Sequence, residues 1–206
     1  MTNPDLAKIG GSGVRLGIIA LLAVALLTVV YHQTRDEIEE QERQAELRIV
    51  REVLPQRLYN NDLLRDLIHV TDATLLGSDQ PKKVYRARLA GQASAIAIQA
   101  TAPRGYNGNI ELIIGISRGG ELTGVRIIAH KETPGLGDDI HQDISDWVLD
   151  FDGRSLGNTP QPDWAVERDG GQFDQFTGAT VSPRAVVGAV HKALQYYDEH
   201  RDFLFK

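Results

Sequence analysis

The longest uninterrupted apolar run in the chain extends from Leu16 to Tyr31 and contains no charged side chain. With Val14 added and Arg15 snorkelling at its edge, it reaches the lower end of the roughly 17–25 residues a membrane helix needs. Tyr31 sits where an interfacial aromatic belongs. The following Tyr31-His32-Gln33-Thr34 offers no small-x-small cleavage site, so the run reads as an uncleaved anchor rather than a signal peptide. Residues 34–54 then predict a helix. Thr34-Arg35-Asp36-Glu37 fits a capping box, the alternative being a helix that simply continues from the apolar run. Glu39 and Arg43 are spaced i,i+4, Leu47, Val50 and Leu54 form a stripe, and Pro55 is a stop signal. The expected organisation is a short N-terminus over 1–15, a transmembrane helix over 16–31, a helical stalk over 32–55 and a folded domain over 56–206. The stalk reads as solvated, in preference to a packing face for a partner protein.

Beyond the stalk the apolar spacing changes. Asp62 to His69 reads as a short helix. Strand patterns follow at 84–89, 93–100, 110–117 and 122–129, with turn signals at Tyr106-Asn107-Gly108-Asn109 and Arg118-Gly119-Gly120-Glu121. Ile113, Ile114, Ile116, Val125, Ile127 and Ile128 should supply much of the packed sheet surface. Asp138 to Leu149 reads as a helix with Ile140, Ile144, Trp147 and Val148 on its apolar side, and 150–173 reads as loop. The last helix carries a stripe at Val186, Val187, Val190, Leu194 and Tyr197, with Ser182 as N-cap and Pro183 at its first position. The fold class is therefore α+β: an antiparallel sheet with surrounding helices, preceded by one transmembrane helix.

Charge and composition narrow this further. The 206 residues carry a net charge of −6, which argues against nucleic acid as a partner. Lys8 and Arg15 precede the apolar run, whereas Asp36, Glu37, Glu39 and Glu40 outnumber Arg35 after it. The positive-inside rule then puts the N-terminus in the cytoplasm and the domain outside. With no cysteine, the chain excludes disulfides, thiolate catalysis and cysteine-ligated clusters. Redox chemistry would need a borrowed cofactor.

Candidate chemistry concentrates in Asp174-Gln175-Phe176-Thr177-Gly178-Ala179-Thr180. Thr180 lies about one turn ahead of a helix N-terminus, where free N–H groups and the helix dipole favour an anion such as phosphate. As an enzyme nucleophile it would need a base, and none is evident nearby in sequence. Glu132-Thr133-Pro134-Gly135-Leu136-Gly137 is a second candidate. Pro134-Gly135 suits a type II turn, and the two glycines permit close backbone approach to a ligand. Taken alone, either stretch is more often structural. His130, Asp138, Asp139 and His141 lack a recognised metal-ligand spacing.

Together these segments resemble the FMN-binding domain family. Asp174-x-x-Thr177-Gly178-Ala179-Thr180 is similar to its flavinylation motif, and His130 to Gly137 is similar to its second signature. The family often continues Gly-Ala-Thr-x-Thr, and Ser182 stands at that last position here. With the anchor and stalk included, nearly the whole chain resembles the flavin subunits of Rnf/Rsx-type ion-translocating electron transport complexes. A related protein occurs in the sodium-pumping NADH:quinone reductase. The resemblance implies one FMN per chain, joined through its phosphate to the Thr180 hydroxyl as a phosphoester. It implies a separate flavin transferase that uses FAD and reads the motif around Asp174. Thr177, Gly178 and Ala179 would keep the approach open, and the turn formed by Glu132, Thr133, Pro134, Gly135, Leu136 and Gly137 would lie against the flavin.

The resemblance further implies a non-autonomous electron carrier in the bacterial inner membrane, with an extracytoplasmic domain. Its partners would be the lipid bilayer and the other membrane subunits of such a complex, which couples electron flow between ferredoxin and NAD to sodium or proton movement. Two other readings stay open: a membrane-anchored extracytoplasmic binding or regulatory module without a redox role, and a flavoprotein reductase acting alone on a soluble substrate.

Overall fold

A computed structural model describes the backbone of residues 4–206 and the side chains from Leu16 onward, Asp36 excepted. The Lys8 and Arg15 side chains, on which the orientation reading rests, lie outside the described residues. Two compact units emerge, residues 1–45 and residues 46–206. Helix α1 (Pro4–Val53) spans the first unit and ends in the second. Its apolar part is exposed throughout, and the helix is long and apolar enough to cross a membrane. Thr34 does not cap a new helix: its hydroxyl donates back to the Val30 carbonyl at 2.9 Å inside α1, and Arg35 pairs with Glu39 at 2.7 Å. The capping-box residues are helical because the preceding apolar turns supply a helix ready to be continued.

The second unit is built on a five-stranded antiparallel meander: β1 (Leu67–Asp72), β2 (Ser78–Leu89), β3 (Gln92–Gly105), β4 (Gly108–Ser117) and β5 (Leu122–Ala129), in that spatial order. Four of these strands are the predicted ones, with β2 and β3 longer than expected. The fifth, β1, takes the last three residues of the predicted 62–69 helix, and the rest of that stretch forms a turn. Asp66 explains the change. Its carboxylate takes the Arg86 and Arg88 guanidiniums at 2.6 and 2.7 Å, and its carbonyl accepts from the Arg86 N–H at 2.8 Å. That contact starts strand pairing where local leucine spacing alone favours a helix.

The two faces of the sheet differ in bulk. Ile96, Ile98, Leu112, Ile114, Ile116, Val125 and Ile127 fill one face and bury helix α2 (Val181–Leu204). The predicted α2 stripe of Val186, Val187, Val190, Leu194 and Tyr197 is buried there throughout. The other face is mixed: Tyr85 and Ile113 stand beside Ala87, Ala95, Ala97 and the cross-strand pair Gly115 and Gly124, which leave a local hollow. The end of α1 lies on it. Val50, Val53 and Leu54 are at most 1% exposed, and a Cβ on Gly115 would land on the Val53 carbonyl. That carbonyl accepts from the Thr123 hydroxyl at 2.5 Å. Glu46 accepts from Lys83 at 2.6 Å and from the Tyr85 hydroxyl. Val50 and Leu54 are therefore buried and Leu47 partly so, rather than lying on a face of the expected solvated stalk. The domain itself uses this stripe, and the compact unit begins ten residues before the expected boundary at 56.

The predicted 138–149 helix is instead two 3₁₀ turns, Asp138–Ile140 and Asp146–Phe151. Ser145 interrupts it. Its hydroxyl donates to the Asp139 carbonyl at 2.5 Å and accepts from the Trp147 N–H at 3.2 Å, local bonds that compete with a continuous helix. Ile140, Trp147 and Val148 are buried as expected, but Ile144 faces solvent. Trp147, Phe151, Phe173 and Trp164 then form a ring-to-ring chain with centroid steps of 5.4, 4.5 and 5.7 Å, ending on His191 of α2, 5.3 Å from Trp164 and nearly parallel to it.

Two expected outcomes follow from this packing. Gly115→Ala should destabilise the domain by about 1–3 kcal/mol, measured by unfolding of the full chain in detergent, because the added methyl meets backbone rather than a yielding side chain. Burial holds His191 below its ordinary value of 6.5, so the unfolded chain binds its proton more readily. Its contribution is present above pH 6.5 and is lost as the pH falls below it. The thermal midpoint should thus drop from about pH 7.5 to about pH 5.5, by less in His191→Gln than in wild type.

Candidate functional site

The hairpin turn between β3 and β4, the loop after β5 and the start of α2 meet at one place. Thr133 to Leu136 forms the expected turn: the Leu136 N–H bonds to the Thr133 carbonyl at 3.1 Å, and Gly135 has φ +74°. Leu136 also donates its N–H to the buried Asp138 carboxylate at 3.1 Å. The loop therefore presents its leucine outward, with 45% exposure. Gly178, φ +82°, brings the second stretch alongside, where an added Cβ would sit 3.9 Å from Leu136 Cδ2.

The result is a cavity of about 320 Å³ lined by Tyr106, Glu132, Thr133, Leu136, Gly137, Gly178, Ala179, Val181 and Ser182. Tyr106, Leu136 and Val181 are the exposed apolar side chains at its mouth. Glu132 and Ser182, 4% and 0% exposed, are buried behind it, and Ser182 donates its hydroxyl to Glu132. Of the predicted residues, Glu132, Thr133, Leu136, Gly137, Gly178 and Ala179 are brought together here. Thr180 stands between two lining residues. Pro134, Gly135, Thr177 and Asp174 are not in the wall.

Thr180 is the N-cap of α2, which begins at Val181 rather than after Ser182. Ser182 cannot act as the N-cap because its hydroxyl is engaged inward with Glu132. Pro183 still falls in the first turn, where a missing N–H costs nothing. The Thr180 side chain makes no capping hydrogen bond and is partly exposed. Its hydroxyl is thus left outside the helix beside the unsatisfied N–H groups of the first turn, a setting that suits a phosphate oxygen.

The loop carrying these residues is anchored from below. Phe173 is fully buried, Phe176 packs edge-on to Trp147 at 5.4 Å, and Trp147 Nε1–H donates to the Asp174 carbonyl at 2.9 Å. The Gln175 amide oxygen accepts from the Arg168 N–H at 2.9 Å. The Asp174 side chain is left exposed. Sequence reasoning placed Trp147 only on an apolar face and overlooked Tyr106 as a lining residue. An indole N–H needing a partner in a buried position is the signal that pointed to the first. The second carried no signal beyond a turn.

A shallow apolar-mouthed cavity beside a hydroxyl with no capping bond at a helix start suits a ligand that joins an apolar ring to a phosphate. Residues 105–195 match the family described as FMN-binding domain, and residues 1–53 match the RnfG N-terminal region. The chain belongs to the RnfG family, the G subunits of ion-translocating oxidoreductase complexes. It is 51% identical over 189 residues to the protein named as the G subunit of the ion-translocating oxidoreductase complex in Pseudomonas aeruginosa, covering 92% of this chain and 88% of that one. Proteins of the same name from Pseudoalteromonas atlantica and Shewanella baltica are 46% and 45% identical. They cover 96% and 100% of this chain, and 92% and 95% of their own lengths.

The Trp147–Asp174 bond supports the loop. Trp147→Phe keeps much of the ring packing and removes the donor. It should speed amide exchange across 174–180 severalfold, at a cost of about 1 kcal/mol in stability, as read by exchange mass spectrometry and thermal unfolding of the same sample.

Proposed function

We propose that this chain is the flavin-carrying electron-transfer subunit of a membrane ion-translocating oxidoreductase, with one FMN joined through its phosphate to the Thr180 hydroxyl. The observation that carries the reading is the position of that hydroxyl. It is free of any capping bond, lies at a helix start that favours an anion, and stands next to a cavity where both candidate stretches meet. Tyr106, Leu136 and Val181 offer apolar surface for a ring system. Thr133, Gly137, Gly178 and Ala179 bring hydroxyl and backbone close to it, while Pro134 and Gly135 shape the turn. Thr177 and Gly178 are exposed and leave room for a transferase, and the exposed Asp174 carboxylate gives that enzyme a charged mark to recognise.

Attachment by transfer from FAD is balanced at one oxygen. The Thr180 hydroxyl gives up its proton and bonds to the phosphorus of the FMN half, and the adenylate leaves with the pyrophosphate bridge oxygen. When bound, FMN supplies reversible one- and two-electron chemistry. The chain supplies position, apolar contact and limited solvent access.

The apolar helix anchors the chain in the inner membrane. The basic N-terminal flank and the acidic start of the next segment support a cytoplasmic N-terminus and an extracytoplasmic domain. Membership in the RnfG family supports other membrane subunits as partners. A cofactor held outside the cytoplasm is hard to replace once lost, which favours a covalent tether.

Coexpression with a flavin transferase should give a band that fluoresces as flavin on a denaturing gel, and a peptide containing Thr180 heavier by one FMN less water. Thr180→Val should abolish both signals. A fluorescent band from that variant would refute the linkage. A dark wild-type band would favour a binding module without redox duty.

A further inference from the structure

We infer that Glu132 is a positioning residue: a buried clamp that fixes the start of α2, and with it the Thr180 hydroxyl, against the β3–β4 turn. The inference rests on the proposed attachment at Thr180 and changes the part expected of Glu132, from flavin contact to support.

Both Glu132 oxygens are engaged within the chain. Oε2 accepts from the Tyr106 N–H at 3.1 Å and from the Ser182 hydroxyl, and Oε1 accepts from the Asn107 N–H at 3.0 Å. At 4% exposure, its acceptor sites are used by three donors from two other segments. Glu132 itself belongs to the third segment, and its own N–H is held by His130 Nδ1 at 3.1 Å. One side chain therefore joins the hairpin turn, the loop after β5 and the first turn of α2. Those are the three segments whose residues line the cavity.

One glycine is explained by the same pair of side chains. Gly137 has no positive φ, yet a Cβ there would come within 2.7 Å of Ser182 Oγ and 3.2 Å of Glu132 Oε2. It stays small so that backbone can close around the clamp. Gly105 is held small mainly by the Gly108 carbonyl oxygen, the atom nearest an added Cβ, with Glu132 Oε1 further off at 3.0 Å. Ser182 fits the same account, since its hydroxyl is spent on Glu132 instead of on helix capping. The Thr180 side chain is two residues away and takes its place from that first turn.

A carboxamide cannot replace this group. Glu132→Gln keeps one acceptor oxygen and turns an NH₂ toward a backbone N–H, so at least one charge-assisted bond is lost and a donor faces a donor.

The test uses the full-length chain in detergent before any flavin is attached, followed over time with a flavin transferase and FAD. In Glu132→Gln and Glu132→Ala, amides of the 105–108 turn and of residues 184–187, the first amides of α2 with a helical acceptor, should exchange roughly tenfold faster or more. Ser182→Ala should loosen only the start of α2 and leave Tyr106 and Asn107 protected. The rate of flavin incorporation should fall in the order wild type, Ser182→Ala, Glu132→Gln, Glu132→Ala. Wild-type exchange at both segments in Glu132→Gln would overturn the clamp, as would slowed incorporation without faster exchange, which would make Glu132 a direct contact. If Glu132→Ala does not fold, the other two variants carry the test, and a fully protected α2 start in Ser182→Ala overturns it. Failure of the wild type to take flavin would refute the attachment reading, while the exchange measurement still decides the clamp.

Discussion

The asymmetry of the sheet governs the rest of the domain. A five-stranded meander has two faces to cover, and this chain gives them different sizes. Isoleucine and leucine on one face demand a long helix with a wide apolar stripe. On the other, alanines and a glycine pair set between Tyr85 and Ile113 leave a hollow where backbone can come close, and the last turns of α1 fill it. The Val53 carbonyl accepting from Thr123 shows how near that approach is. Without Gly115 and Gly124, the α1 end would ride higher and Leu54 and Tyr85 would lose contact with a common core.

The large face has a consequence for the site. Once α2 is seated on Ile96, Ile98 and Leu112, its N-terminus has little freedom. Long strands β3 and β4 carry their connecting turn to the same end, and the loop leaving β5 returns there. The cavity forms where these three ends meet, and Glu132 closes it from behind. The aromatic chain from Trp147 to His191 performs the matching task for the 174–180 loop: it buries Phe173 and leaves Thr177 and Gly178 in solvent. The motif thus consists of a buried anchor followed by an exposed, glycine-bearing tip.

Sequence made the periodic parts legible. The α2 stripe, four of the five strands and the Pro134-Gly135 turn follow from local rules, because each residue's local preference agrees with its place in the fold. The failures share a cause. Asp66 starts β1 through two arginines, 20 and 22 residues further along. Ser145 splits a helical pattern by bonding locally. Ser182, a good N-cap by type, is drawn inward by Glu132 from 50 residues upstream. In each case a polar side chain found a partner that hydrophobic spacing does not report. The site itself was legible as two stretches and their resemblance. That a third, the Tyr106 turn, belongs with them depends on the strand lengths, and β3 runs on to Gly105, well beyond its predicted end at residue 100.

The openness of the cavity bears on why a covalent link suits the proposed role. At about 320 Å³ it lies near the lower limit for small-molecule sites, and its apolar rim is exposed. A site this small offers limited surface for a flavin nucleotide. A deeper pocket would hold it, at the cost of insulating the ring from a redox partner. The proposed phosphoester at Thr180 would separate the two demands. Tethering would raise the local concentration of the ring at the cavity far above that of free cofactor, so weak contacts with residues such as Tyr106, Leu136 and Val181 would be enough to hold it there. On this argument the value of the clamp lies in geometry more than in affinity: the tether keeps the cofactor, and the position of the α2 start decides where the tether begins.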